Sequence, residues 1–429
     1  MNYGLKVENL HLQTPVSLLI DDPCPCVNPY YYHRKLREKD GEPTFDTGEA
    51  IVRSIPLSFL HQFADAVERH GIRGKFSVLP FPCNLGLISK GIEGYPESEC
   101  REWVSTVRRR LAPLMDFSPE LITHLYAVDT ETLRPFEENE NDWSQHQDEE
   151  SLTRYIAKAL RLLADAGIDA NGVTSPWMFA ARVEEAYAKA VGNAQKQIHG
   201  RKLTWYFLRS DVLSPLVPPV IAAGDCEAGE VVVHVRASCH DVYWDTMGTL
   251  EHADAYVRSV ADKLISSDLA TGRLPTLVAA GSGITLLSHW QSVYSQGRLT
   301  GLRALEETAR RLSEAYGSSV AWRSCSELAA WTAATATLRC SLQSDGSKLI
   351  ACLASPFDCP GFTVSFPCER KPRLVRLVSG ATTTAVEATD LSTHPAGKLP
   401  LPTKSHAWNA GRLSVCLDLH GPARIELET

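Results

Sequence analysis

A chain of 429 residues suits one large α/β unit with a smaller module, since about 100–200 residues per domain is typical. Apolar residues make up 44% and charged residues 22%, globular proportions that exclude disordered and fibrous chains. A net charge of −8 without Lys/Arg clusters argues against nucleic acid and membrane surfaces as partners. No apolar run reaches the roughly 18 residues of a membrane span, and Met1–Lys6 shows no signal pattern, so a cytoplasmic location is expected.

Seven apolar runs in chain order read as strands: Val16–Ile20, Gly74–Leu79, Leu121–Leu125, Gly172–Ser175, Leu203–Leu208, Val231–Ala237 and Gly283–Ser288. Between them, apolar residues spaced by three and four predict helices. One runs from Leu57 to Gly71 and another from Leu152 to Gly167, with Pro96–Leu114, Ala180–Ile198, Leu250–Ala270 and Leu299–Tyr316 as further helices. Strand alternating with helix predicts parallel strands joined by helical crossovers. After about Thr335 the texture changes to short alternating runs, Lys348–Ala354, Gly361–Phe366, Arg373–Val378, Arg412–Leu417 and Ala423–Leu427, punctuated by turn residues. The expected fold is a distorted seven-stranded (β/α) barrel over residues 1–334, followed by a small antiparallel β-sandwich over 335–429. The 12 cysteines are scattered and read as reduced, mostly buried thiols. Only Cys24 and Cys26 lie close together, and that pair alone fits no standard zinc spacing.

Polar groups gather where the apolar runs stop. The first strand ends in Asp21-Asp22, two adjacent carboxylates that are costly to bury unless paired, hydrogen-bonded or metal-bound. The third delivers His124 and, five residues on, Asp129. The sixth is followed by His240 and Asp241, and the last ends at His289, followed by Trp290, Gln291 and Arg298. An imidazole there suits a general acid, because its ordinary pKa lies near neutrality. Trp143 and Gln145, in an acidic aromatic loop, and Trp177, beyond the fourth strand, read as walls of a pocket for a carbohydrate-like substrate.

The order of these groups resembles the polysaccharide deacetylase (NodB-like) superfamily. The likeness is carried by Ile20-Asp21-Asp22-Pro23, by Gly74–Val78 and by Leu287-Ser288-His289, and it covers roughly residues 14–330. It implies Asp21 as catalytic base, His289 as general acid, and Asp22 and His124 as ligands of a divalent metal, often zinc. Asp129, one place beyond Val128 at the family's second His, would complete the ligand set. The implied reaction removes an acyl group from a sugar or related amide or ester. Two other readings fit the same residues. One is a glycoside hydrolase or lyase using two carboxylates among Asp21, Asp22, Asp129 and Asp241; the other is an inactive carbohydrate-binding protein.

Overall fold

The computed structural model describes residues 4–37, 41–345, 348–380, 382–389 and 400–428. Seven strands run in the expected alternation with helices: β1 (Thr14–Asp21), β2 (Gly74–Val78), β3 (Met115–Pro119), β4 (Gly172–Thr174), β5 (Leu203–Phe207), β6 (Glu230–His234) and β7 (Ile284–His289). They are buried over nearly their whole length, which explains why, β3 apart, they show in the sequence as short apolar runs.

The strands form two parallel sheets. One has the order β7-β1-β2-β3, with Val320–Trp322 also parallel to β1; the other is β4-β5-β6, edged by the antiparallel strand Val220–Asp225. Between β3 and β4 only isolated bridges occur, Phe117 with Ala170 and Glu120 with Thr174. Between the β6 side and β7 the amide of Ser238 reaches Thr285 O at 3.0 Å. The expected barrel is therefore not present as one closed sheet among the described residues. Pro119 has no amide hydrogen to give and β4 is three residues long, so a continuous ladder cannot cross that seam.

The third strand lies earlier than its apolar run predicts. Leu121 and His124 adopt left-handed backbone (φ 49° and 55°), and the segment 121–125 is a buried loop. Leu121 N still reaches Thr174 O of β4 at 3.1 Å, but the next three amides pair with a carboxylate instead of a strand: Glu140 accepts from Ile122 N (3.0 Å), Thr123 N (3.0 Å) and His124 N (2.7 Å). Glu140 is itself fully buried and receives Tyr155 Oη at 2.6 Å.

The helices hold where amphipathic spacing meets a stop signal. Leu57–His70 buries Phe59, Leu60, Phe63 and Val67 and ends at Gly71, whose φ of 60° is the left-handed cap that glycine adopts at little cost. Glu149–Asp165 starts at Asp148, which accepts from Ser151 N at 2.8 Å. Of the predicted Leu250–Ala270 helix only Asp254–Asp262 forms. Leu250 is exposed, and Ser266 with Asp268 closes a turn after it.

The later part of the chain forms two five-stranded sheets. Lys348–Ala354 is a strand over its predicted span, and the other four predicted runs fall within Cys359–Pro367, Leu374–Ser379, Arg412–Leu419 and Ala423–Glu428, or one residue outside them. Strand Lys6–Glu8 from the start of the chain pairs antiparallel with Cys359–Pro367. Phe362, Val364, Leu417, Ile425 and Leu427 from the two sheets share one apolar cluster with Leu19, Trp205 and Val233 of the parallel sheets. No helix among the described residues is long and apolar enough to cross a membrane.

Candidate active site

A cavity of about 580 Å³ opens at the C-terminal ends of the parallel strands, within the range of small-molecule sites. Asp21, Asp22, Glu120, His124, His289 and Gln291 form its floor, and Trp177, Met178, Tyr30 and Trp244 stand along its sides. This is where a parallel βα fold delivers functional groups, because each strand ends there and hands over to a loop.

Asp21 and His289 are register partners on the adjacent parallel strands β1 and β7. Neighbouring strands lie about 4.8 Å apart and in-register side chains project to the same side, so the carboxylate and the imidazole stand next to each other. His289 Nδ1 is 2.8 Å from Asp241 Oδ2, which also accepts from Ser292 Oγ at 2.9 Å. Burial works to lower the His289 pKa, but the bond to Asp241 and the charges of Asp241, Asp22 and Asp21 outweigh it and raise it to about 9. Asp21 is held by Lys75, whose ammonium bonds its Oδ1.

Beside this pair, Asp22, Glu120 and His124 form a second cluster, with one ligand atom from each lying within 4.8 Å of the others. His124 Nε2 is 2.9 Å from Asp22 Oδ1 and 3.5 Å from Glu120 Oε1. Gln291 donates to Asp22 Oδ2, and Asp22 N donates to Glu120 Oε2 at 2.6 Å. The two carboxyls are pushed in opposite directions. Burial raises Asp22, but His124, His289 and His33 more than offset that and hold it below the usual carboxylate range. Burial, then the charges of Asp22 and Asp21, push Glu120 well above its ordinary value. Asp22, His124 and Trp177 all have positive φ (73°, 55° and 48°), a backbone region that costs non-glycine residues of order 1–3 kcal/mol and concentrates at functional sites. Trp177 packs its ring against both His33 and His124 (centroids 4.9 and 4.7 Å).

The cluster's chemistry suits a divalent cation. Its donors are one imidazole nitrogen and two carboxylates, and the buried His124 Nδ1 has no hydrogen-bond partner among the described residues.

Asp21, Asp22, His124, Asp241, His289, Trp177 and Gln291, all named as candidates from the sequence, thus lie in one region. Others do not join it. Asp129 caps an exposed turn, accepting from Thr132 N and Oγ1 at 2.7 Å each, and Glu120 stands where a third ligand was expected of it. Trp290 is fully buried against Phe59, Phe63 and Phe76, a core residue rather than a wall. Arg298 pairs with Glu49 and donates to Thr249 O at 3.2 Å, away from the cavity. His240 is exposed and does not line the cavity. Trp143, on the short helix Glu140–Ser144, packs on Tyr155 of the helix Glu149–Asp165 (4.5 Å). Gln145 acts one step removed: it donates to Met178 O (2.7 Å) and accepts from Arg182 N (3.0 Å), fastening the segment that carries Trp177. Cys24 and Cys26 are buried free thiols outside the cluster.

Glu120, Lys75, His33 and Glu140 went unread in the sequence. Lysine in the apolar run Gly74–Val78 was a signal, since a buried ammonium needs a partner. Glu120 follows β3 directly, and placing that strand at 121–125 hid it.

The fold and pocket define a parallel βα protein with a carboxylate–imidazole centre at its strand ends. No protein-family model matches the chain, and no curated protein matches it. Solved structures similar to parts or all of it include a glycoside hydrolase family 30 subfamily 8 xylanase from Clostridium acetobutylicum (8% identity, 100% of this chain and 98% of that one, TM-score 0.27). Others are a GH57 branching enzyme from Thermococcus kodakaraensis (10%, 70% and 68%, TM-score 0.36) and an α-L-fucosynthase from Thermotoga maritima (10%, 85% and 76%, TM-score 0.25). At these scores the likeness carries no argument about fold or activity.

Proposed function

We propose that the protein is a carbohydrate-active hydrolase that cuts a glycosidic bond in this cavity. The observation that carries the reading is the register pairing of Asp21 with His289, each fixed from behind, by Lys75 and by Asp241. His289, still protonated at neutral pH, gives its proton to the departing glycosidic oxygen. Asp21 takes a proton from the water that attacks the anomeric carbon, so one C–O bond breaks and one forms, and solvent exchange restores both groups. Trp177 and Trp244 offer flat apolar faces for the C–H side of a sugar ring, while the polar floor addresses hydroxyls.

A second reading, metal-assisted removal of an acyl group, is favoured by the Asp22–Glu120–His124 cluster. These three residues would hold the ion, which when bound would polarise a carbonyl and acidify a water. Turnover of a panel of aryl glycosides and of acetylated sugars, before and after chelation and with zinc or manganese restored, separates the two. Metal-independent glycoside turnover is expected. Ester or amide cleavage that needs metal and is lost in Asp22→Ala replaces the first reading with the second, and absence of turnover on every substrate removes both.

A further inference from the structure

We infer that Lys75, together with Ser77, is a positioning residue that turns Asp21 into a one-sided base, an assignment that rests on the role given to Asp21 above. Lys75 lies on β2, fully buried, with its side chain directed beneath the cavity rather than into it. Its ammonium has three hydrogens and three partners. It donates to Asp21 Oδ1 and to Ser77 Oγ (2.6 Å), and it sits 4.8 Å from the centroid of the Phe207 ring. Ser77 Oγ is in turn 3.3 Å from the same Asp21 Oδ1 and 3.0 Å from Thr174 Oγ1, and Thr174 is 2.9 Å from Ser118 Oγ. This hydroxyl network ties β2, β3 and β4 together under the floor.

Both contacts made to Asp21, from Lys75 and from Ser77, fall on one oxygen. Oδ1 is covered from below, and Oδ2 has no hydrogen-bond partner among the described residues, so it is the atom left to the cavity that Asp21 lines. Stability alone does not account for such an arrangement. A buried ion pair repays its desolvation poorly, and apolar residues of similar volume are often as stable or more so. A rigid ammonium fixes where Oδ2 points, and that matters because an ångström of misplacement at a reacting group costs about 100-fold in rate.

The test is a double-mutant cycle on the glycoside turned over most readily, with kcat and KM measured for Lys75→Met, Asp21→Asn and the double variant. Lys75→Met is expected to lower kcat about 100-fold with KM nearly unchanged. In the Asp21→Asn background it is expected to add no further loss, because a residue acting through Asp21 has nothing left to position. Ser77→Ala keeps the ion pair and is expected to lower kcat about tenfold, which keeps the inference open to test should Lys75→Met not fold. Full kcat in Lys75→Met or Ser77→Ala beside an inactive Asp21→Asn overturns the inference and spares the base role. Additive losses in the cycle overturn it as well, by making Lys75 a general support. An active Asp21→Asn, or a protein that turns over no glycoside, removes the base role and the inference with it.

Discussion

His289 keeps its proton because three carboxylates face it, Asp241 at bonding distance from its own loop and Asp22 and Asp21 from the end of β1. Its folded pKa of about 9 stands above the ordinary 6.5, so the sign of the linkage is fixed. The pairing stabilises the fold fully below pH 6.5 and the contribution is lost as pH rises through about 9, on the order of 3 kcal/mol at most. Turnover that needs the imidazolium is expected to fall across the same upper limb. Asp241→Asn removes the largest raising influence and should move that limb toward neutrality. A pH–rate profile of wild type and variant checks this, and an unshifted upper limb would detach Asp241 from the role. At the same scale, Asp22, His124 and Trp177 accept left-handed backbone around one hollow, a strain that packing elsewhere must offset.

Strands β1 and β2 approach so closely that a Cβ built on Gly74 would lie 1.9 Å from the Leu18 carbonyl oxygen. Backbone cannot yield as a side chain can, so Gly74→Ala is expected to destabilise the protein by about 3 kcal/mol, read as the shift of the urea midpoint; a neutral substitution would mean that the two strands pack less tightly. The loop after β3 depends on Glu140 in a different way. Glu140→Gln keeps an acceptor but loses the charge that three amides and Tyr155 share. A loss of about 1–3 kcal/mol is expected by thermal unfolding, and an unchanged melting temperature would contradict the bonding described. These two elements also mark what a sequence can and cannot disclose. The buried strands announce themselves as apolar runs, and the loop 121–125 imitates one, because Leu121, Ile122 and Leu125 are as buried as any strand. What makes it a loop is a carboxylate 15 or more residues away, and no local pattern carries that partnership.

Across the whole molecule, what could be read was the convergence of strand ends. Asp21, Asp22, His124 and His289 stand far apart along the chain and meet in one cavity because parallel strands all end on the same side. What could not be read was which neighbours complete the site. Asp129 and Glu120 flank His124 almost symmetrically in sequence, yet one caps a turn and the other is buried beside Asp22. Trp290 follows His289 directly but turns into the core, since a helix beginning at that residue sends successive side chains in different directions. Closure of the sheet was also beyond the pattern of apolar runs, because it depends on how β3 meets the short β4. The central claim, that His289 is the proton donor of a hydrolytic pair with Asp21, is tested most directly by the leaving-group dependence of His289→Gln. Loss of a general acid, worth about 10²–10⁴-fold, should fall heavily on glycosides with poorly acidic leaving groups and hardly at all on a dinitrophenyl glycoside, whose leaving group needs no proton. An equal loss on both, or none on either, would contradict the account.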